Sequence, residues 1–135
     1  LDSLTLAAAL GVSNPAHRGK TMPHFIVDCS VEVLESHPEE YIAEQIHLVA
    51  VASDLFDIGD IKVRVNPYSK YLVGGKRELF IHVFSSIMQG RTTEQRAKLS
   101  QSVVEKLVAM FPHVPNIAMN VSEFEKTTYC NRNML

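Results

Sequence analysis

The sequence predicts an α+β fold in which two βαβ units form a four-stranded sheet with two helices on one face. A plan of strand, helix and strand occurs twice, with an offset of roughly 55 residues. The strand candidates alternate apolar and polar residues, and the helix candidates repeat apolar residues at helical spacing. The halves span about 22–66 and 78–124, so residues 22–135 are expected to form a single domain with a C-terminal tail.

Composition excludes several classes of protein. The chain has 135 residues, 46% of them hydrophobic, and a formal net charge of −2, which argues against phosphate-backbone recognition. No apolar run approaches the roughly 20 residues that span a bilayer. The two cysteines lack the spacing of a disulfide framework or a zinc site. We therefore expect a cytoplasmic protein that binds neither nucleic acid nor membrane.

Residues 1–21 match nothing later in the chain. They are Ala-rich and are interrupted by Asn14-Pro15 and Gly19-Lys20. Leu4 to Val12 is short and lacks a basic lead-in, so it does not predict a signal peptide. We interpret this segment as an appendage: an artificial remnant, an over-long start or a real extension.

The first half begins with a strand at 24–29, where apolar and polar residues alternate imperfectly. Ser36 and Glu39 have capping-box spacing and Pro38 suits a first helical turn, so a helix is expected next. Its apolar stripe is Ile42, Ile46, Val49 and Phe56. The segment 61–65 then alternates strictly, which places Lys62 and Arg64 together on one face of a second strand.

The second half repeats this order. A strand is expected at 78–87 and is followed by Gly90-Arg91. Thr92 and Gln95 have capping-box spacing, which predicts a helix start, and the helix should run to about Phe111. A last strand is expected at 116–121.

This arrangement leaves one sheet face without helices. If both helices pack on one side, we expect the other side to be apolar and uncovered. A bare apolar sheet face must be buried against another subunit, so the fold predicts an oligomer.

Three motifs carry a resemblance to a known family. Met22 to Ser30 resembles the amino-terminal strand of 5-carboxymethyl-2-hydroxymuconate isomerase, of the tautomerase superfamily, and Ile61 to Val65 resembles its basic strand. Gln89 to Arg96 resembles the second strand-to-helix turn of that family, and also that of the short 4-oxalocrotonate tautomerase subunit.

The resemblance implies a tautomerase-like homotrimer, an active site at each amino-terminal proline, and no metal or organic cofactor. It identifies Pro23 as the catalytic proline, with Arg64 and Arg91 as catalytic and substrate-binding residues. Lys62 stands where the family usually has a further arginine, and lysine lacks the planar fork that grips a carboxylate. The resemblance implies a substrate-binding role for Lys62 at that position.

The chemistry sets one strict condition. Moving a double bond beside a carbonyl needs a base, an acid and stabilisation of the intermediate dienolate. A free amino-terminal proline is a secondary amine that can take and return a proton, whereas a proline nitrogen inside a chain is an amide. The peptide between Met22 and Pro23 must therefore be absent for Pro23 to act.

The expected function is a cofactor-free isomerase acting on a small anionic substrate, an unsaturated oxo or hydroxy acid, as in the catabolism of aromatic compounds. A non-catalytic trimeric binding or assembly module remains an alternative if residues 1–21 are retained. A dehalogenase or hydratase, with Pro23 acting as an acid, is a third.

Basic residues on a strand can also serve only to keep a sheet edge soluble. The six histidines show no paired ligand spacing, and a Cys29 thiol nucleophile aided by His24 is a minor alternative.

Overall fold

A computed structural model describes residues 22–135, so the predictions about residues 1–21 lie outside the described part of the chain. The elements in chain order are β1 (His24–Ser30), α1 (Glu39–Ala52), β2 (Lys62–Tyr68), β3 (Phe80–Met88), α2 (Thr93–Met110) and β4 (Asn116–Phe124). Within residues 22–135, neither α1 nor α2 is long and apolar enough to cross a bilayer.

The sheet has the predicted two-unit plan. The strand order is β2-β1-β3-β4, with β1 parallel to β2 and β3 parallel to β4. The two units meet through the antiparallel pairing of β1 with β3, where His24 faces Ser86. The prediction of two βαβ units joined into one four-stranded sheet is therefore confirmed. Because β2 is an edge strand, it tolerates Pro67, which has no N–H to donate.

The core lies between the sheet and the helices. Alternate residues of β1 point into it, and Phe25, Val27 and Cys29 are fully buried. The apolar stripes of the two helices pack against these residues. They consist of Ile42, Ile46 and Ala50 on α1 and Leu99, Val103 and Leu107 on α2. Apolar surface buried in this way is the main stabilising contribution to such a domain.

The two helices begin differently. The Thr92 side chain accepts a hydrogen bond from the backbone of Gln95, whose own side chain bonds back, so the predicted capping box is present. The capping box predicted at Ser36 is wrong. Ser36 follows a 3₁₀ turn and has helical backbone angles itself, whereas a capping residue needs extended ones. The first helix starts after Pro38 without a side-chain cap.

Within residues 22–135 the sheet face opposite the helices is uncovered, but the expectation that it would be apolar is wrong. Ile26 and Phe84 lie opposite each other at its centre, and Phe84 is 45% exposed. Polar residues surround them on all four strands: His24, Asp28, Lys62, Arg64, Asn66, His82, Ser86, Asn120 and Ser122. The polar members of each alternating strand face this side because the apolar members already fill the core.

Candidate active site

One end of the sheet collects the residues singled out in the sequence. The amino ends of β1 and β2 meet there with the carboxyl end of β3, and His24 lies between Lys62 and Ser86. Pro23 directly precedes β1, and its side chain is buried. Its carbonyl oxygen accepts a hydrogen bond from the backbone N–H of Lys62 at 3.1 Å. The β1–β2 ladder therefore fixes the position of Pro23.

The basic strand residues lie on the uncovered face, as their alternation predicts. Arg64 Nη1 is 3.1 Å from Nδ1 of His24. Lys62 is directed elsewhere, because its Nζ donates a hydrogen bond to the backbone carbonyl of Asp60 at 2.8 Å. Arg64 is thus the cation held beside β1 on this face, and the ammonium of Lys62 is turned towards the preceding turn.

Arg91 lies on the helix side of the same end of the sheet. Gly90 before it has φ +124°, a conformation that residues with a side chain rarely adopt, and this turn directs Arg91 back towards the core. Its Nη2 donates to the carbonyl of Leu55 at 2.6 Å and its Nη1 to that of Met88 at 3.1 Å. The guanidinium carbon is also 5.1 Å from the centre of the Phe56 ring.

The guanidinium of Arg91 is partly shielded from water. Burial lowers the pKa of its guanidinium, and the nearby charge of Glu123 acts in the opposite direction. An arginine stays charged under such conditions because its ordinary pKa is very high. Its charge-assisted bonds therefore hold the segment after α1 against the carboxyl end of β3.

The structure brings Pro23, Lys62, Arg64 and Arg91 to one end of the sheet but divides their side chains between its two faces. Arg64 and Lys62 occupy the uncovered side, and Arg91 the helix side. Pro23 stands at the strand end between them. A substrate at this end would meet cations from two directions.

In the sequence, His24 was considered only beside Cys29, and its contact with Arg64 was missed. His24 shares the uncovered face with Arg64 and contacts it, whereas Cys29 points into the core on the opposite side of β1. Burial, followed by the charges of Glu39 and Asp28, raises the pKa of the Cys29 thiol to about 12. These placements argue against the alternative of a Cys29 nucleophile aided by His24. The signal available in the sequence was parity, because His24 is an even-numbered residue of β1 and Cys29 an odd one.

Two clefts lie away from this end of the uncovered face. A cleft of about 550 Å³ runs between the helices and is lined by residues such as Leu55, Leu99 and Ser102. The second, of about 430 Å³, lies beside the amino ends of β3 and β4, near Tyr71 and Asn116. Neither is lined by Pro23 or by the basic residues singled out above. Among residues 22–135 there is no group of three or more His, Cys, Asp or Glu side chains arranged to hold a metal ion.

Comparison with known proteins identifies the family of the chain and solved structures that share its fold. The sequence profile of the 5-carboxymethyl-2-hydroxymuconate isomerase family matches residues 23–135. No curated protein sequence matches the chain. Among solved structures, a 5-carboxymethyl-2-hydroxymuconate isomerase from Deinococcus radiodurans is 20% identical, with a TM-score of 0.73 over 84% of this chain and 90% of that one.

Two further structures share the fold at lower identity. A macrophage migration inhibitory factor from Toxoplasma gondii is 10% identical, with a TM-score of 0.66 over 82% of this chain and 96% of that one. A fused 4-OT described as an asymmetric trimer is 13% identical, with a TM-score of 0.65 over 81% of this chain and 92% of that one.

Proposed function

This chain belongs to the 5-carboxymethyl-2-hydroxymuconate isomerase family, and on that premise we propose that it is a cofactor-free tautomerase that uses Pro23 as its base. The substrate is an unsaturated oxo or hydroxy carboxylic acid of the 5-carboxymethyl-2-hydroxymuconate type. The observation that carries the proposal is the position of Pro23 at the end of the sheet where Arg64 lies on the uncovered face and Arg91 on the helix side.

The reaction is a proton transfer with no change in composition. The secondary amine of Pro23 removes a proton from the substrate, and the electron pair passes through the conjugated system to a carbonyl oxygen, giving a dienolate. The protonated amine then returns the proton to the distal carbon, which moves the double bond. One group serves in turn as base and acid.

The arginines supply the charge that this intermediate needs. Negative charge grows on the substrate oxygen as the proton leaves, so cations preorganised around that oxygen stabilise the transition state more than the ground state. Arg91 has its position fixed by two backbone carbonyls, which reduces the cost of reorganisation. Arg64 offers a planar fork suited to a carboxylate. Lys62 contributes long-range positive potential.

The proposal includes removal of everything before Pro23. In the 135-residue sequence, Met22 is joined to the nitrogen of Pro23, which is therefore an amide without a basic lone pair. The buried core lies wholly within 25–114, so the processed chain retains it. Removal of residues 1–22 exposes the amine at the end of β1.

The proposal also includes a homotrimer. Among residues 22–135, β2 and β4 are the edge strands of the sheet, and the uncovered face exposes Phe84 beside Ile26. The basic residues of the uncovered face line neither of the two clefts described above, and we expect a neighbouring subunit to complete the walls of the site. We place this assembly in the cytoplasm, in keeping with two cysteines that are both free thiols.

A second candidate is a non-catalytic trimeric ligand-binding or assembly module on the same scaffold. Two observations favour it: the peptide bond between Met22 and Pro23, and the ammonium of Lys62 engaged with the Asp60 carbonyl. In that case the site binds a carboxylate without turnover.

One assay separates the candidates. The chain beginning at Pro23 and the chain retaining Met22 are compared on a 2-hydroxymuconate-type dienol, with conversion to the ketone followed by ultraviolet absorbance. We expect turnover by the first chain and, because an amide cannot act as a base, none by the second. Binding without turnover by both chains would establish the module instead.

The direction of the pH dependence distinguishes a proline base from a proline acid. A base must be neutral to act, so activity should fall as the pH drops below the pKa of the amine. Activity that falls as the pH rises would instead indicate the dehalogenase or hydratase alternative.

A further inference from the structure

We propose that His24 is a positioning residue for Arg64: its neutral imidazole accepts a hydrogen bond from the guanidinium, holds it beside the Pro23 end of the sheet, and releases it on protonation. This inference rests on the proposed function for its catalytic consequence. The contact between His24 and Arg64 is part of the folded structure, so it can be tested in a chain that shows no turnover.

The contact fixes the form of the imidazole. Nη1 of Arg64 lies 3.1 Å from Nδ1 of His24, and a guanidinium has donors but no acceptor. Nδ1 must therefore present its lone pair, which places the remaining proton on Nε2. An imidazolium donates from both nitrogens and cannot make this bond.

The surroundings of His24 favour the neutral form. Partial burial, followed by the charges of Arg64 and Lys62 on β2, lowers the pKa of its imidazole. The β3 residue opposite it is Ser86, which carries no charge. Asp28 is the carboxylate on the same face of β1, but it lies two residues beyond Ile26 and interacts with Asn66 and Tyr68. In the processed chain the adjoining Pro23 amine adds a further titratable group, and its cationic form would also disfavour protonation of His24.

The consequence for substrate binding follows from the geometry of the guanidinium. With Nη1 directed at His24, the Nε and Nη2 edge is left to grip a carboxylate with two parallel bonds. The ammonium of Lys62 donates to the Asp60 carbonyl, so it does not take the place of Arg64 in binding the carboxylate. His24 thus determines where the fork of Arg64 points.

Carboxylate binding by Arg64 should depend on pH through the charge of His24. The lowered pKa means that His24 is neutral above about pH 6.5, the ordinary value for the group, and becomes charged as the pH falls through the lower folded value. Protonation removes the acceptor and places two positive groups in contact. Arg64 should then swing away, and carboxylate affinity should fall towards acid pH.

The first test needs no activity. The ¹⁵N resonances of the His24 ring are followed against pH in the full chain and in Arg64→Leu. We expect the Nε2–H tautomer at pH 7, titration below the ordinary pKa, and a pKa that moves upward in the variant. An Nδ1–H tautomer at pH 7, or the same titration in both proteins, would overturn the pairing.

The second test separates positioning from folding. In His24→Leu the acceptor is lost, whereas in His24→Asn the amide oxygen can accept from Arg64; His113→Leu, at an exposed site, is the matched control. Binding of muconate to the processed chain is measured by calorimetry at pH 7.5 and at a pH below the His24 titration observed in the first test. Loss of one hydrogen bond that orients a charged group predicts a Kd about tenfold weaker in His24→Leu.

The rescue variant makes the outcome decisive. His24→Asn should bind within about twofold of the unsubstituted chain and should lose the weakening at acid pH, because an amide does not titrate. In the dienol assay, if there is turnover, KM should follow Kd and kcat should change less, because the fork of Arg64 binds a carboxylate in the ground state as well as in the transition state. Equal affinity of His24→Leu and the unsubstituted chain would refute the positioning role. Muconate binding that responds as stated in a chain without turnover would support it while refuting the proposed isomerase.

Discussion

Replacing Arg91 by methionine should destabilise the domain as well as remove a cation from the site. The side chain ties three parts of the fold together: its guanidinium donates to the carbonyls of Met88 and Leu55 and lies over the ring of Phe56. Methionine has a similar reach, so it fills the space but cannot donate. The two carbonyls would have to find water or remain unpaired.

The size of the effect follows from those contacts. Hydrogen bonds to a charged group contribute about 1.5–3 kcal/mol each, and a cation over an aromatic ring adds about 0.5–1 kcal/mol. Arg91 is only partly buried, so water replaces much of what is lost, and we expect a net destabilisation of about 2 kcal/mol. For a chain of this length that corresponds to a fall in Tm of about 7 °C.

The assay is thermal unfolding followed by circular dichroism at one fixed protein concentration, because association would change Tm with concentration. Arg132→Met, in the exposed tail, is the control for loss of a positive charge and should unfold within about 1 °C of the unsubstituted chain. Arg91→Lys, which can reach one carbonyl, should fall between the two. A Tm for Arg91→Met equal to that of the control would show that these contacts do not stabilise the fold.

Three further outcomes are expected. Thr92→Ala should lower the free energy of unfolding by about 1 kcal/mol in a urea titration because it breaks a formed capping box, whereas Ser36→Ala should change it by under about 0.5 kcal/mol; equal losses would contradict the observed helix start. An aromatic disulfide reagent should modify the exposed Cys130 quickly and the buried Cys29 only after denaturation, so two fast equivalents would be evidence against the core packing. Ile46→Ala should cost about 2–5 kcal/mol, because this fully buried side chain leaves a cavity, and a loss under about 1 kcal/mol in the same titration would contradict its core position.

Local patterns accounted for most of the fold. Alternation identified the strands, helical stripes identified the helices, and the Thr92 capping box needed only residues three apart. The repeated order of elements was sufficient to predict two βαβ units. The cap at Ser36 failed because the preceding 3₁₀ turn gives Ser36 helical backbone angles, which the spacing of two residues does not reveal.

The surface and the site were less accessible to prediction. The uncovered face was expected to be apolar from topology alone, although the alternating partners of the core residues include Asp28 and Arg64, which must then face outward. The contact between His24 and Arg64 joins residues 40 positions apart and depends on the register of β1 with β2. Likewise, the engagement of Arg91 with Leu55 joins the two halves of the chain and has no local signature.

The intact mass of the protein isolated from its native cells decides whether Pro23 can act as a base. We expect the mass of a chain that begins at Pro23, since only that form carries the secondary amine. A mass that retains Met22 or any residue before it would contradict the proposal that Pro23 is the catalytic base.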